Sequence, residues 1–114
     1  MKYEVMMTSQ AVADLRTVFE YIAYELLAGQ TALNQLDRLE KAIEGLEEMS
    51  ERHHVYEKEP WKSRNLRVMP VDNYLVFYIA EKEEKRVTVI RIMYGRRDIE
   101  TQLKAHTPDK DSGK

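Results

Sequence analysis

The sequence contains no cysteine, which excludes disulfides, thiolate metal sites and cysteine nucleophiles. Its three histidines form no HExxH pair, so a zinc enzyme is not expected. The four glycines form neither a GxGxxG nor a P-loop motif, which excludes these nucleotide sites. No apolar run approaches the roughly 18 residues of a membrane helix. The start MKYEVMM is not typical of a signal peptide, so we expect a cytoplasmic protein without cofactor or membrane contact.

The charge of the 114 residues is unevenly distributed along the chain. The net charge of −2 argues against a generic nucleic-acid-binding module. Residues 1–60 carry 6 Lys or Arg against 12 Asp or Glu, whereas residues 61–114 carry 12 against 8. An acidic half followed by a basic half indicates either two surfaces with different partners or two ordinary solvated faces.

Two amphipathic helices are predicted in the first half. The first is capped by Thr8 or Ser9, runs to about Leu27 and is ended by Gly29. The second is capped by Thr31, and the short link makes the two helices an antiparallel hairpin. Apolar residues at three- and four-residue spacing define the two buried stripes: Ala11, Leu15, Val18, Phe19, Ile22 and Leu26, then Leu33, Leu36, Leu39, Ile43, Leu46 and Met49.

Four strands are predicted from alternating or continuous apolar runs: residues 3–7, residues 65–69 ended by Pro70, residues 74–80 and residues 86–94. The predicted fold is therefore α+β, in the order β-α-α-β-β-β, with an antiparallel sheet that carries the helical hairpin on one face. The other face is left for function. Residues 1–103 are expected to form one domain, and the polar residues 104–114 are expected to form a flexible tail.

Arg91 lies in the middle of the last predicted strand. Regular alternation places Val89, Arg91 and Met93 on one face and Thr88, Ile90, Ile92 and Tyr94 on the other. An arginine is costly to bury without a partner, so Asp98 or Glu20 is expected to pair with it. Alternatively, Arg91 lies on the open face and contacts an anion.

A basic cluster is expected where the strand ends converge, because guanidinium groups suit bidentate phosphate recognition and Tyr94 could stack on a base. The alternative is an ordinary salt-bridged surface position for each residue. The members of the cluster are Lys62, Arg64, Arg67, Arg96 and Arg97.

A metal-independent nuclease also needs groups that accept and donate protons. The candidates are His53, His54, Glu57 and Glu59, although a polar loop is the simpler interpretation of all four. Trp61 is expected to cover the edge of the helical hairpin rather than to stack on a nucleotide.

The element order and the segments RVMPVDNYLVFYIA and VIRIMYGRRDIETQL resemble the RelE/ParE superfamily of bacterial toxins, over about residues 2–103. The resemblance implies a growth-inhibiting toxin of a plasmid stabilisation system, neutralised by an antitoxin, as a homodimer or a hetero-oligomer. RelE-like members cut messenger RNA on the ribosome, whereas ParE-like members poison DNA gyrase.

The RelE-like catalytic pattern is incomplete in this chain. Its third-strand arginine falls at Tyr74 or Leu75, and its late tyrosine falls at about Leu103. The segment DLRTVFEYIAYELL and the RRD ending resemble ParE more, which favours gyrase over messenger RNA as the target. A nuclease would use Arg67, Arg91, Tyr94 and Arg97, whereas target binding by either kind of toxin would use Arg64, Arg67, Arg96 and Arg97.

Overall fold

The computed structural model describes residues 2–49, 53–95 and 103. The described part contains β1 (Glu4–Met7), α1 (Ser9–Glu20) continued by a π-helical turn (Tyr21–Glu25), α2 (Gly29–Glu44), α3 (Leu46–Met49), β2 (Leu66–Val71), β3 (Tyr74–Glu81) and β4 (Arg86–Tyr94). The predicted order of elements is confirmed, with the short α3 added. No helix among these residues is long and apolar enough to cross a membrane. The predicted tail, residues 104–114, lies outside the described residues.

The four strands form one sheet in the order β1-β4-β3-β2. Strands β2, β3 and β4 are antiparallel neighbours, but β1 runs parallel to β4. The α+β fold is confirmed, and the expectation of an antiparallel sheet is corrected in this one pairing. The helices cross one face of the sheet and bring the chain to the edge at which β2 lies. The antiparallel strands β2, β3 and β4 then lead back to β1, and β4 runs in the same direction as β1.

Pro70 lies inside β2 and does not end it, contrary to the prediction. β2 is the last strand in the sheet order, and an edge strand tolerates a residue without an N–H group. The outer side of β2 is partly covered by an antiparallel bridge between Val55 and Arg67.

The helix ends differ from the prediction except at Thr8, whose hydroxyl accepts a hydrogen bond from the Ala11 amide. The first helix closes through the π-helical turn, and Leu27 takes the left-handed conformation (φ 54°). Gly29 therefore starts α2 instead of ending the first helix. The residue before it, Ala28, occupies the cap position expected for Thr31.

The helices pack on one face of the sheet around a continuous apolar core. In α2 the buried positions include Ala32 and Leu39, whereas Leu33, predicted to be buried, is 53% exposed. The buried members of this helix-side core are Ala11, Val18, Ile22, Ala32, Leu39, Ile43, Leu46, Met69, Tyr74, Val76, Tyr78, Val87, Val89 and Ile92.

The second face of the sheet is covered by an apolar cluster of its own, named here the second-face cluster: Trp61, Leu66, Phe77, Met93 and Leu103. The expectation of an open functional face is wrong for this part of the sheet. Trp61 is 5% exposed, so its predicted packing role is confirmed, but it covers this face and not the helical hairpin. The segment before Trp61 pairs with β2 through two backbone hydrogen bonds, from Tyr56 N to Leu66 O and from Val68 N to His54 O.

A β-bulge at Ile90 interrupts the alternation of β4. Tyr78 pairs with Val89 and Phe77 pairs with Arg91, so Ile90 has no partner of its own in β3. Val89 and Ile92 consequently both belong to the helix-side core. The predicted assignment of faces is therefore wrong for Ile92 and Met93, because a bulge adds one residue to the period of two.

We expect Leu39→Ala to lower the free energy of unfolding by about 2–5 kcal/mol, since it leaves a cavity in the helix-side core. Leu33→Ala is the matched control on the same helix, and its exposed side chain should cost less than about 0.5 kcal/mol. Urea unfolding followed by circular dichroism measures both. Equal effects would contradict the rotated placement of α2.

Candidate functional site

Arg91 is paired with Asp14 of α1 inside the protein. Its Nε and Nη2 atoms donate to the two carboxylate oxygens at 2.8 and 3.1 Å, and the Arg91 residue is 4% exposed. The predicted partner Glu20 is therefore replaced by Asp14, and Asp98 lies outside the described residues. Arg91 faces the helices and not an open anion-binding surface.

Asp14 also binds backbone. Its Oδ2 accepts from the Ile92 amide at 2.9 Å, and its Oδ1 accepts from Gln10 Nε2 at 3.1 Å. A buried ion pair is tolerated when the remaining donors and acceptors are satisfied in this way. The sequence contained a signal for this contact, since Asp14 stands within the apolar stripe of α1, three residues after Ala11 and four before Val18.

Three members of the predicted basic cluster, Lys62, Arg64 and Arg67, lie in the described part of the chain. Arg67 donates to the His53 carbonyl at 2.7 Å and is half-buried. The Arg64 guanidinium lies 5.1 Å from the centre of the Trp61 ring, and Lys62 pairs with Glu57 at 3.7 Å. Arg96 and Arg97 lie outside the described residues. The described cations of the predicted cluster thus take part in contacts within residues 53–67.

The proposed proton-transfer candidates also have structural contacts. Glu59 accepts from the Ser63 hydroxyl at 2.7 Å and from its amide at 3.1 Å, and the hydroxyl hydrogen bond lowers the pKa of Glu59. The His53 ring contacts Tyr78 edge to face, with centroids 6.3 Å apart. The His54 carbonyl accepts from the Val68 amide. These contacts favour the interpretation of the segment as a cover for the sheet.

A cavity of about 600 Å³ opens between the first helix, α2 and the ends of β3 and β4, and is named here the tyrosine cavity. Three tyrosines, Tyr21, Tyr74 and Tyr94, line it together with aliphatic side chains that include Leu26. The charged groups among its lining residues are Asp14 and Arg91, which neutralise each other. A cavity of this size and composition suits an uncharged apolar or aromatic group.

The three tyrosines interact within the cavity. The rings of Tyr74 and Tyr94 meet edge to face, with centroids 5.7 Å apart, and Tyr94 is 39% exposed. Burial raises the pKa of the Tyr74 phenol, and the nearby phenols of Tyr94 and Tyr21 raise it further. Tyr94 therefore lies beside a buried phenol on the helix side of the sheet.

The turn between β2 and β3 closes one end of the cavity. Asp72 takes the left-handed conformation (φ 56°), and its carboxylate accepts from Arg38 Nε at 2.6 Å and from Gln35 Nε2 at 3.0 Å. The Arg38 hydrogen bond, assisted by Gln35, holds the pKa of Asp72 below its usual value. These bonds fix the turn to α2.

Directly after β4, the backbone at Gly95 packs against the turn between β2 and β3. The Gly95 amide donates to the Asn73 carbonyl at 2.9 Å, and a Cβ at Gly95 would lie 3.3 Å from that oxygen. A glycine thus permits the close approach, and Arg96 and Arg97 follow it in the sequence. Among the described residues no group of three His, Cys, Asp or Glu side chains is placed to hold a metal ion.

Comparison with known families gives a match over most of the chain. A family model described as the ParE toxin of the type II toxin–antitoxin system parDE matches residues 5–99. The chain belongs to the ParE toxin family. It is accordingly a type II toxin–antitoxin toxin of the ParE/RelE kind, which confirms the superfamily inferred from the sequence. No curated protein matches the chain significantly.

Solved toxin structures share the fold. A chain of the chromosomal ParDE system from P. aeruginosa superimposes with a TM-score of 0.67 at 16% identity, over 82% of this chain and 96% of its own. The RelBE2 complex from Mycobacterium tuberculosis gives 0.59 at 17% identity, over 82% and 99%. A mutant of the E. coli toxin RelE in the free state gives 0.60 at 16% identity, over 90% and 93%.

The raised pKa of Tyr74 predicts a loss of stability at high pH. The unfolded phenol releases its proton near about pH 10, whereas the folded phenol keeps it. The stabilisation is therefore complete below the unfolded pKa and is lost as the pH rises through the folded pKa. Tyr74→Phe should lose less stability than the wild type between about pH 8 and about pH 11 in urea unfolding.

Tyr24→Phe is the matched control, because Tyr24 lies in the π-helical turn of the first helix and its side chain is exposed. This variant should follow the pH dependence of the wild type. Identical slopes for wild type and Tyr74→Phe would contradict the burial of the Tyr74 phenol.

Proposed function

We propose that this toxin inhibits growth in the cytoplasm by binding and poisoning DNA gyrase, and that a cognate antitoxin holds it inactive. The observation that carries the proposal is the covering of the second sheet face by the second-face cluster, together with the burial of Arg91 against Asp14. Both features oppose the alternative, a RelE-like ribosome-dependent messenger RNA endoribonuclease.

Cleavage of RNA without a metal needs cations that can reach the phosphate as charge develops in the transition state. Arg91 is surrounded by protein, and its guanidinium already binds a carboxylate in bidentate fashion. Releasing it would leave Asp14 buried and uncompensated, which typically costs about 3–5 kcal/mol. Arg67 is held on a backbone carbonyl. These positions favour a toxin that acts by binding.

Membership of the ParE family supports the same choice. We place the target contact at Arg96 and Arg97, with Arg64 and Arg67 as secondary contacts. Arg96 and Arg97 directly follow Gly95, whose backbone packs closely against the Asn73 carbonyl. Two consecutive arginines that follow Tyr94 and Gly95 in the sequence suit an acidic partner.

Purified toxin should inhibit gyrase supercoiling and leave a test message intact in a reconstituted translation reaction. Arg96→Ala/Arg97→Ala should raise the concentration for half-inhibition at least about tenfold, because two charged contacts are removed. Arg16→Ala, an exposed cation on α1, is the matched control and should inhibit like the wild type.

Primer extension across the test message is the measurement that can contradict the gyrase proposal. Discrete ribosome-dependent cuts that disappear in Arg97→Ala, with gyrase unaffected, would replace the gyrase proposal by the endoribonuclease.

The proposed antitoxin partner is supported by the solved relatives, which include ParDE and RelBE systems. On this chain we place the antitoxin at the helical hairpin, with an apolar side chain inserted into the tyrosine cavity. The two charged residues that line the cavity, Asp14 and Arg91, have opposite charges that cancel. Leu26 and Tyr94, at its edge, are 55% and 39% exposed. Exposed apolar groups around a concave site are typical of a binding surface.

Leu26→Asp should weaken antitoxin binding at least about tenfold, since it introduces a charge into an apolar contact. Leu33→Asp is the matched control, because Leu33 is similarly exposed on the same hairpin but does not line the cavity. Isothermal titration with the antitoxin encoded beside the toxin measures both. Equal losses, or none, would contradict docking at the cavity.

A further inference from the structure

β4 extends beyond its neighbour on the β1 side of the sheet. The pairing of β1 with β4 ends at Met7 opposite Val89, whereas β4 continues to Tyr94. In this last stretch no described strand lies beside β4 on that side. Backbone groups in such a partly buried place need other partners.

Two side chains take the place of the missing strand, one from the N-cap of α1 and one from the middle of the helix. The Thr8 hydroxyl donates to the Ile90 carbonyl at 2.9 Å, while the same oxygen caps α1. The Asp14 carboxylate accepts from the Ile92 amide at 2.9 Å. The backbone of β4 is thus satisfied by α1 on both sides of Arg91.

The β-bulge falls within this stretch and decides the direction of Tyr94. Without it, Tyr94 would share the face of Ile90, which packs with the second-face cluster. With it, Tyr94 lines the tyrosine cavity against Tyr74. A shift of one residue moves the side chains that follow in a regular strand to the opposite face of the sheet. The cavity therefore depends on the contacts that hold the register of β4 at the bulge.

We propose that Asp14 is a positioning residue whose carboxylate, by accepting the Ile92 amide hydrogen, locks the bulged end of β4 and turns Tyr94 into the tyrosine cavity. Arg91 contributes by holding the same carboxylate with two further hydrogen bonds. The consequence for antitoxin binding rests on the proposed docking at this cavity, whereas the position of Tyr94 does not.

Two double variants separate the backbone contact from the ion pair. Asp14→Asn/Arg91→Met removes both charges but keeps a side-chain oxygen that accepts from the Ile92 amide. Asp14→Leu/Arg91→Met removes the charges and the acceptor. Each variant removes both members of the Asp14–Arg91 ion pair, and replacing a whole buried ion pair by apolar groups is often tolerated.

The readouts concern Tyr94 and not overall stability. Nuclear Overhauser contacts between the Tyr74 and Tyr94 rings should persist in the asparagine variant and be lost in the leucine variant. The absorbance titration of the Tyr74 phenol should remain shifted upwards in the former and move towards ordinary tyrosine in the latter. Ring contacts and titrations that are the same in both folded variants would overturn the proposal.

Amide hydrogen exchange on the wild type provides a test without substitution. The Ile92 amide should exchange at least about a hundredfold more slowly than the amides of the exposed β3–β4 turn, since its acceptor is buried. Exchange of Ile92 as fast as those turn amides would overturn the proposal, whether or not the leucine variant folds.

Antitoxin titration then separates this proposal from the docking proposal. The leucine variant should bind at least about tenfold more weakly than the asparagine variant. If the ring contact is lost and the two affinities are nevertheless equal, docking at the cavity is wrong and the positioning role of Asp14 stands.

Discussion

A carboxylate from α1 and a guanidinium from β4 meet in the interior, and much of the remaining structure depends on this contact. Asp14 collects hydrogen bonds from Arg91, from the Ile92 amide and from Gln10. One side chain therefore fixes the first helix to the sheet, compensates a buried cation and supports the bulged end of β4. The tyrosine cavity forms beside this contact, because the bulge brings Tyr94 to the helix side.

The two faces of the sheet consequently have different roles. Part of the second face is covered by Trp61 and the apolar residues around it, which form a second apolar cluster. The helix side contains an uncharged cavity with exposed leucine and tyrosine at its edge. This arrangement is the basis of our proposal that the toxin acts by binding a protein, since binding needs shape and apolar surface whereas cleavage of RNA needs accessible cations.

The sequence predicted the elements far better than the site. The bounds of β4 were correct, and the cap at Thr8 was confirmed, because periodicity and capping are local properties. Contacts between elements distant in the sequence were harder to predict. For Arg91, Glu20 was expected as one of two possible partners, whereas the carboxylate found on α1 is that of Asp14, 77 positions away along the chain. Trp61 was rightly expected to be buried in an apolar cluster, but the face of the sheet that it covers depends on how the segment before it pairs with β2.

By itself, the sequence determined the absence of cysteine chemistry, the α+β order and the family, because these follow from composition, from periods of two and 3.6 residues and from motifs along the chain. Only the tertiary structure decided that β1 runs parallel to β4, that part of the second face is covered and that Tyr94 lies in a cavity with Tyr74. The bulge at Ile90 explains the last of these. It leaves no mark in the apolar pattern, since it is held by a side chain on another element, and yet it reverses the faces of Ile92, Met93 and Tyr94.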